Sequence, residues 1–163
     1  MNSNSDIIYK YNGAKSLVML HEKYINKFYE TWLKAKKLSI TLPETDDKDY
    51  ESLNTLLRHV LRSSRGYIVW ICEKLNLPDP EIKNAPEPDR IEQLAKAYIE
   101  HLLDRWKIPL NEVEEKKFID DSFISNWGTH YCIDAMLEHA VMHPIRHEFQ
   151  LQKLIKIFED AIG

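Results

Sequence analysis

Apolar side chains recur every three or four residues in four separate stretches of this chain, and no other feature limits the fold as much. The first stretch runs from Gly13 to about Lys37, the second from Asp49 to about Leu75, the third from Pro88 to about Trp106, and the fourth from Ile133 to about Ala161. This spacing places the apolar residues on one face of a helix. Only 4 glycines occur among 163 residues, and alternating apolar runs are few. The sequence therefore predicts an all-α fold.

The segments between these helices indicate a single domain over residues 1–163. Residues 76–89 contain four prolines, which favours a stiff connector. We interpret it as an interhelical crossover rather than a domain linker, because each flanking segment needs partners to bury its apolar stripe. Residues 110–128 have no convincing period, and residues 1–12 are predicted to be a loose lead-in.

Charge and composition exclude several classes of protein. The formal net charge of −4 provides no basic field for nucleic acid. No run approaches the roughly 18 apolar residues that span a bilayer, and the polar N-terminus lacks the apolar core of a signal peptide. Cys72 and Cys132 are too few for a disulfide framework. We therefore predict a cytoplasmic protein with neither a nucleic-acid nor a membrane partner.

The fourth helix carries His139, His143 and His147 at intervals of four. On a helix, residues four apart lie about 40° from each other on one face, so two such imidazoles can bind one metal ion. The pattern is weak by itself, because histidine is also common on helix surfaces, and a third ligand is required. Pro144 lies inside this helix. We predict a helix that is kinked but continuous, because the histidine spacing and the apolar period both continue past the proline.

A second stripe on the second helix is polar. It comprises Ser52, Thr55, His59, Ser63, Gly66 and Trp70, which lie on one face by helical geometry. The stripe is the wall of a polar cavity or a solvated face, and the residues alone leave both interpretations open.

The first helix is predicted to bury the stripe Leu17, Leu20, Tyr24, Phe28 and Trp32. His21 falls at the edge of this stripe, and we interpret it as a boundary histidine rather than a metal ligand. His101, one turn after Tyr98 in the third helix, is predicted to be structural or exposed.

Two segments resemble the DinB/YfiT-like proteins. Residues 57–67 (LRHVLRSSRGY) are similar to the second-helix segment of that family, and residues 136–147 (MLEHAVMHPIRH) to its last-helix HxxxH segment, including the proline. The resemblance implies a four-helix bundle with an up-down-down-up course, often a homodimer. It also implies a divalent metal held by His59, His143 and His147, with His139 as a neighbour that need not ligate.

The resemblance further implies a function. Family members with assigned activities are mainly metal-dependent thiol transferases that use bacillithiol or mycothiol, so a small-molecule thiol and an electrophile are the expected partners. Three imidazoles leave open positions on the metal, and they suit Zn²⁺ or Ni²⁺. The alternatives are a non-catalytic metal-binding or interaction bundle and a metal-assisted hydrolase.

Several further residues are candidates for the surroundings of the metal. Gln150 either hydrogen-bonds a histidine that binds the metal or is simply a polar residue on the surface. Thr55, Ser63 and Trp70 are candidates for the cavity wall. No residue of the sequence stands out as a general base.

Overall fold

In a computed structural model, residues 7–162 are described, and they are mostly helical, as the apolar period predicts. The elements in chain order are α1 (Asn12–Lys37), a 3₁₀ helix (Lys48–Tyr50), α2 (Leu53–Lys74), α3 (Ile91–Trp106), α4 (Lys116–Ile119), β1 (Phe123–Ile124), β2 (His130–Tyr131) and α5 (Ile133–Ile162). The two short strands pair antiparallel, with Phe123 opposite Tyr131.

The buried faces of the four long helices meet in one contiguous core. Helix α1 packs along α5, while α2 packs against both α5 and α3. The largest fully buried side chains are aromatic, among them Trp32 of α1, Trp106 of α3 and Phe118 of α4. Trp32 Nε1 donates a 2.6 Å hydrogen bond to the Leu53 carbonyl oxygen, which ties α1 to the first turn of α2.

The buried stripe of α1 differs from the predicted one. Phe28 and Trp32 are buried as expected, but the stripe continues through Ala14, Val18, His21 and Ile25, whereas Leu20 is 38% exposed. His21 is therefore a core residue, and the prediction of a boundary histidine is wrong. It stacks on Trp106 with ring centroids 3.9 Å apart, and its Nε2 lies 2.9 Å from Ser64 Oγ.

Helix α2 begins later than predicted. Ser52 is the N-cap, and its side chain and that of Thr55 satisfy each other's backbone N–H groups in a capping box. Asp49, expected at this position, belongs to the preceding 3₁₀ helix, which Asp47 caps. The carboxylate of Asp49 is therefore free to contact side chains further along α2.

Helix α5 is continuous through Pro144, as predicted. Its buried side extends from Met136 and Ala140 before the proline to Leu151 and Ile155 after it. Packing on both sides offsets the roughly 3 kcal/mol that an interior proline costs. Consequently His143 and His147 keep helical spacing.

The segment between α3 and α5 contains structure that the sequence did not reveal, namely α4 and the β1–β2 hairpin. Gly128 in the hairpin loop has φ +84°, a conformation that glycine adopts without strain. A membrane-spanning helix is not found among residues 7–162, because none of their helices combines enough length with enough apolar character.

The predicted lead-in, residues 1–12, is described only in part. Residues 1–6 lie outside the described range, and α1 already begins at Asn12. Between them, Lys10 N donates a 2.9 Å hydrogen bond to the Asn111 carbonyl oxygen, and Tyr9 Oη donates to that of Lys107. Residues 9 and 10 are thus attached to the segment that follows α3.

Candidate metal centre

Helices α2 and α5 bring three imidazoles together. His59 faces α5 from α2, and His143 and His147 occupy successive turns of α5. One ring nitrogen from each of the three lies within 4.8 Å of the other two, so the group could hold a metal ion. The Nε2 atoms of His59 and His143 are 3.1 Å apart. The structure thus places together the three residues that the resemblance implied.

Two polar side chains orient these rings. Asp49 Oδ2 accepts a hydrogen bond from His59 Nδ1 at 2.9 Å and is also 2.8 Å from Arg62 Nη2. Gln150 Oε1 accepts from His147 Nδ1 at 3.0 Å. An imidazole that donates from Nδ1 presents a lone pair on Nε2, and outer partners of this kind fix the tautomer of metal-binding histidines. Gln150 therefore orients one candidate metal ligand, as one of the two interpretations held. Asp49 does the same for His59, a role that the sequence analysis did not predict.

Burial keeps the two histidines of α5 neutral. It lowers the pKa of His143 to about 2, with a smaller contribution from the neighbouring His147 and His59. It also lowers the pKa of His147 to about 4, against an opposing effect of the Gln150 hydrogen bond. Neutral imidazoles are the form that binds metals. A set of three nitrogen donors without a thiolate or carboxylate fits a borderline divalent ion and leaves coordination positions open.

The ring of Tyr50 flanks the three histidines. Its centroid lies 5.5 Å from that of His59 and 5.6 Å from that of His147. Burial, followed by the charges of Asp47 and Asp49, raises the pKa of its hydroxyl. The sequence analysis missed Tyr50 because it belongs to neither the apolar nor the polar stripe of the predicted second helix, and in the structure it precedes α2.

A cavity of about 460 Å³ opens beside the imidazoles of His59 and His143. The second stripe of α2 lines it with Ser63, Gly66 and Trp70, so this part of the stripe is a cavity wall rather than a solvated face. His139 also lines the cavity, as the prediction allowed. Thr55 does not line it, since that side chain is engaged in the capping box of α2.

Part of the cavity wall comes from residues that the sequence analysis did not assign to the site. Tyr67 of α2 and Trp127 of the hairpin loop line the cavity. Trp127 stacks on His139 with centroids 5.4 Å apart. A turn signal around Asn126 and Gly128 was available in the sequence, but it does not indicate which helix the hairpin contacts.

Comparison of the chain with protein-family models, curated proteins and solved structures gave no match. The histidine group and the cavity beside it are therefore the features that bear on function.

Proposed function

We propose that this protein is a divalent-metal-binding bundle of the DinB/YfiT-like type and a metal-dependent thiol S-transferase acting on a small electrophile. One observation carries the proposal: the imidazoles of His59 and His143 form part of the wall of a cavity large enough for a small molecule. A purely structural metal site is closed by protein ligands, whereas a catalytic site keeps a position open to the substrate.

We assign Zn²⁺ or Ni²⁺ to the site because the site offers three neutral nitrogen donors. Bound there, such an ion supplies Lewis acidity that lowers the pKa of a thiol and so favours the thiolate. The protein's own contribution is orientation. Asp49 and Gln150 direct Nε2 of His59 and His147, respectively, inward, and the cavity walls position the second substrate.

The cavity favours a thiol substrate over water. None of the described residues that line it is an aspartate or glutamate, the residue types that serve as general base in many metal-dependent hydrolases. A thiol depends less than water on a general base, because it is already partly ionised near neutral pH and is intrinsically nucleophilic. This chemical difference supports transfer to an electrophile ahead of hydrolysis.

The metal assignment predicts a clear difference between histidine variants. His59→Ala or His147→Ala should lose most of the bound metal, because each removes one of three ligands. His101→Ala is the matched control, since His101 lies on α3 and accepts a hydrogen bond from Lys83 N. Metal is measured by elemental analysis of purified protein, and equal contents in all three variants would refute the site.

The transferase assignment is tested with metal-loaded protein, a chromogenic electrophile, and bacillithiol, glutathione and mycothiol in turn. Transfer should require the metal and persist below the free thiol's pKa of about 8.5. Stripping the metal should abolish transfer while the far-ultraviolet circular dichroism stays helical, because apolar helix faces supply most of the folding energy. No acceleration with any thiol would leave a non-catalytic metal-binding bundle as the better description.

The up-down-down-up course and the homodimer belong to the same proposal. The packing of α1 on α5 and of α2 on α3 and α5 is what a four-helix bundle requires. A crystal structure together with the molar mass in solution, from light scattering, tests both.

A further inference from the structure

The cavity beside the histidines is walled mainly by aromatic rings. Tyr67 and Trp70 project from α2, and Trp127 faces them from the hairpin loop. The rings of Tyr67 and Trp127 are nearly perpendicular, at 86°, with centroids 6.5 Å apart. Such a set of faces and edges matches the offset-stacked and edge-to-face contacts that an additional aromatic ring prefers.

The hairpin holds Trp127 at the cavity, where its ring packs against His139, Tyr67 and Tyr131. Trp70 Nε1 donates a 3.3 Å hydrogen bond to the Ile124 carbonyl oxygen, and its ring packs edge-on against Phe123, so the hairpin is fixed on α2. Yet Trp127 remains 49% exposed. At this position the exposed part of the ring offers a face or an edge to an aromatic ligand in the cavity.

Gly66 leaves room on the α2 wall. A Cβ atom added at Gly66 would meet no atom within 4 Å, so this glycine is not required by close packing. A glycine inside a helix costs about 1 kcal/mol relative to alanine. The volume it leaves free belongs to the cavity, whose 460 Å³ exceeds the roughly 150 Å³ that accommodates benzene.

The charges around the cavity select against a cation. None of the described residues lining it is acidic. Arg146 brings a positive charge close enough to affect two of them: it adds to burial in lowering the pKa of His139, and it opposes burial, which raises the pKa of Tyr67. A ring that is uncharged or carries a negative substituent is therefore favoured over a quaternary ammonium group, which aromatic cages otherwise suit.

We propose that the cavity formed by Tyr67, Trp70 and Trp127 binds the aromatic ring of the electrophile, so that the substrate class is an uncharged or anionic aryl electrophile. This inference rests on the proposed thiol transfer. For an arylmethyl chloride, the thiolate sulfur bonds to the benzylic carbon, the carbon–chlorine bond breaks, chloride leaves with the electron pair, and the thiol proton passes to water.

The test compares 4-nitrobenzyl chloride with allyl chloride, which has the same type of reacting carbon and leaving group but no ring. Each is assayed with metal-loaded protein and with bacillithiol, glutathione and mycothiol. Trp127→Ala should raise KM for the aryl substrate about tenfold, the effect of one lost aromatic contact, and leave allyl chloride unchanged. Trp127→Phe should restore the aryl KM, and Phe149→Ala, an exposed aromatic residue on α5, serves as control.

Gly66 provides a second variant pair that preserves the helix. Gly66→Leu should obstruct the cavity beside α2 and reduce the preference for 4-nitrobenzyl chloride, whereas Gly66→Ala should keep most of it. Metal content should be the same in both variants. Equal KM values for the aryl substrate in the wild type, Trp127→Ala and Gly66→Leu would overturn the aryl site while leaving thiol transfer intact.

Calorimetric titration with 4-nitrobenzyl alcohol, which has no leaving group, separates the two proposals. If no thiol is transferred, saturable binding that weakens about tenfold in Trp127→Ala supports the aryl site although the transferase fails. Absence of saturable binding overturns the aryl site, whatever the outcome of the transfer assays.

Discussion

The buried histidine of α1 predicts an unusual loss of stability in acid. His21 is fully buried, and burial lowers its pKa to about 3 from the ordinary 6.5, with no charged group contributing. The folded protein therefore resists protonation at this site, while the unfolded chain accepts a proton near pH 6.5. The stabilising contribution is complete above pH 6.5 and falls as the pH decreases toward 3.

The size of this effect follows from the two pKa values. In the window between them, stability falls by up to about 1.4 kcal/mol for each pH unit. Between pH 7 and pH 4.5, His21 alone should cost about 2–3 kcal/mol. Because His143 and His147 also have lowered pKa values, the wild-type curve contains more than one such contribution, and a variant is needed to isolate His21.

His21→Gln supplies that comparison. Glutamine does not titrate, and its amide can still reach Ser64, the partner of His21 Nε2. The variant should be less stable at pH 7, because the stacking on Trp106 is lost, but its stability should decline less steeply with acid. Urea unfolding at half-unit pH steps measures both curves, with the exposed His130→Gln as control. Parallel curves for the wild type and His21→Gln between pH 6.5 and 4.5 would refute the reasoning.

Three further predictions concern single side chains. Asp49→Asn should weaken metal affinity about 10–100-fold by loosening His59, whereas the neighbouring Glu51→Gln should not; a competitive chelator titration measures both. Ser52→Ala should destabilise the protein by about 0.5–2 kcal/mol through loss of the α2 cap, measured by urea unfolding. Trp32→Phe should cost about 1–3 kcal/mol because it removes the buried Nε1 hydrogen bond to the Leu53 carbonyl oxygen and leaves a void in the core, and thermal unfolding at constant metal concentration checks it.

The buried faces of α2 and α5 could be predicted from the sequence because most of the residues on each are apolar. Leu57, Val60 and Ile68 lie on the apolar face of α2 and are buried, and so are Met136 and Leu151 on the apolar face of α5. In these helices one face is plainly more apolar than the others, so the period alone identifies the side that packs. This is the situation in which sequence patterns are most informative.

Helix α1 shows where that reasoning fails. It carries apolar residues on two adjacent lines, one through Leu17 and Leu20 and the other through Val18 and Ile25. Contact with α5 decides which line is buried, and the buried line includes His21. Because the buried line contains a polar residue, His21, the other line is the more regularly apolar of the two in the sequence. Tertiary packing thus buries a face of α1 that is shifted by about one residue from the face that the local pattern predicts.

The hairpin shows a different limit. Strands of two residues are too short to display alternation, and the segment around Phe123 and Tyr131 had no period to find. Its position on α2 depends on a side-chain bond from Trp70 to a backbone carbonyl. Long-range contacts of this kind have no signature in a single sequence, so the part of the cavity wall that Trp127 forms could not be predicted, whereas Trp70 could.

The residues that depart from the rules of stable helices lie together in space. Gly66 interrupts a helix where alanine would be favoured, Pro144 stands inside α5, and the buried His143 has an Nδ1 atom without a partner among the described residues. All three are near the cavity or the histidine group, as is the half-exposed Trp127. Natural sequences accept such local costs mainly at functional sites. His21 also has a buried Nδ1 atom without a partner among the described residues, but it lies elsewhere and stacks on Trp106, so we propose a function for the first group and not for His21.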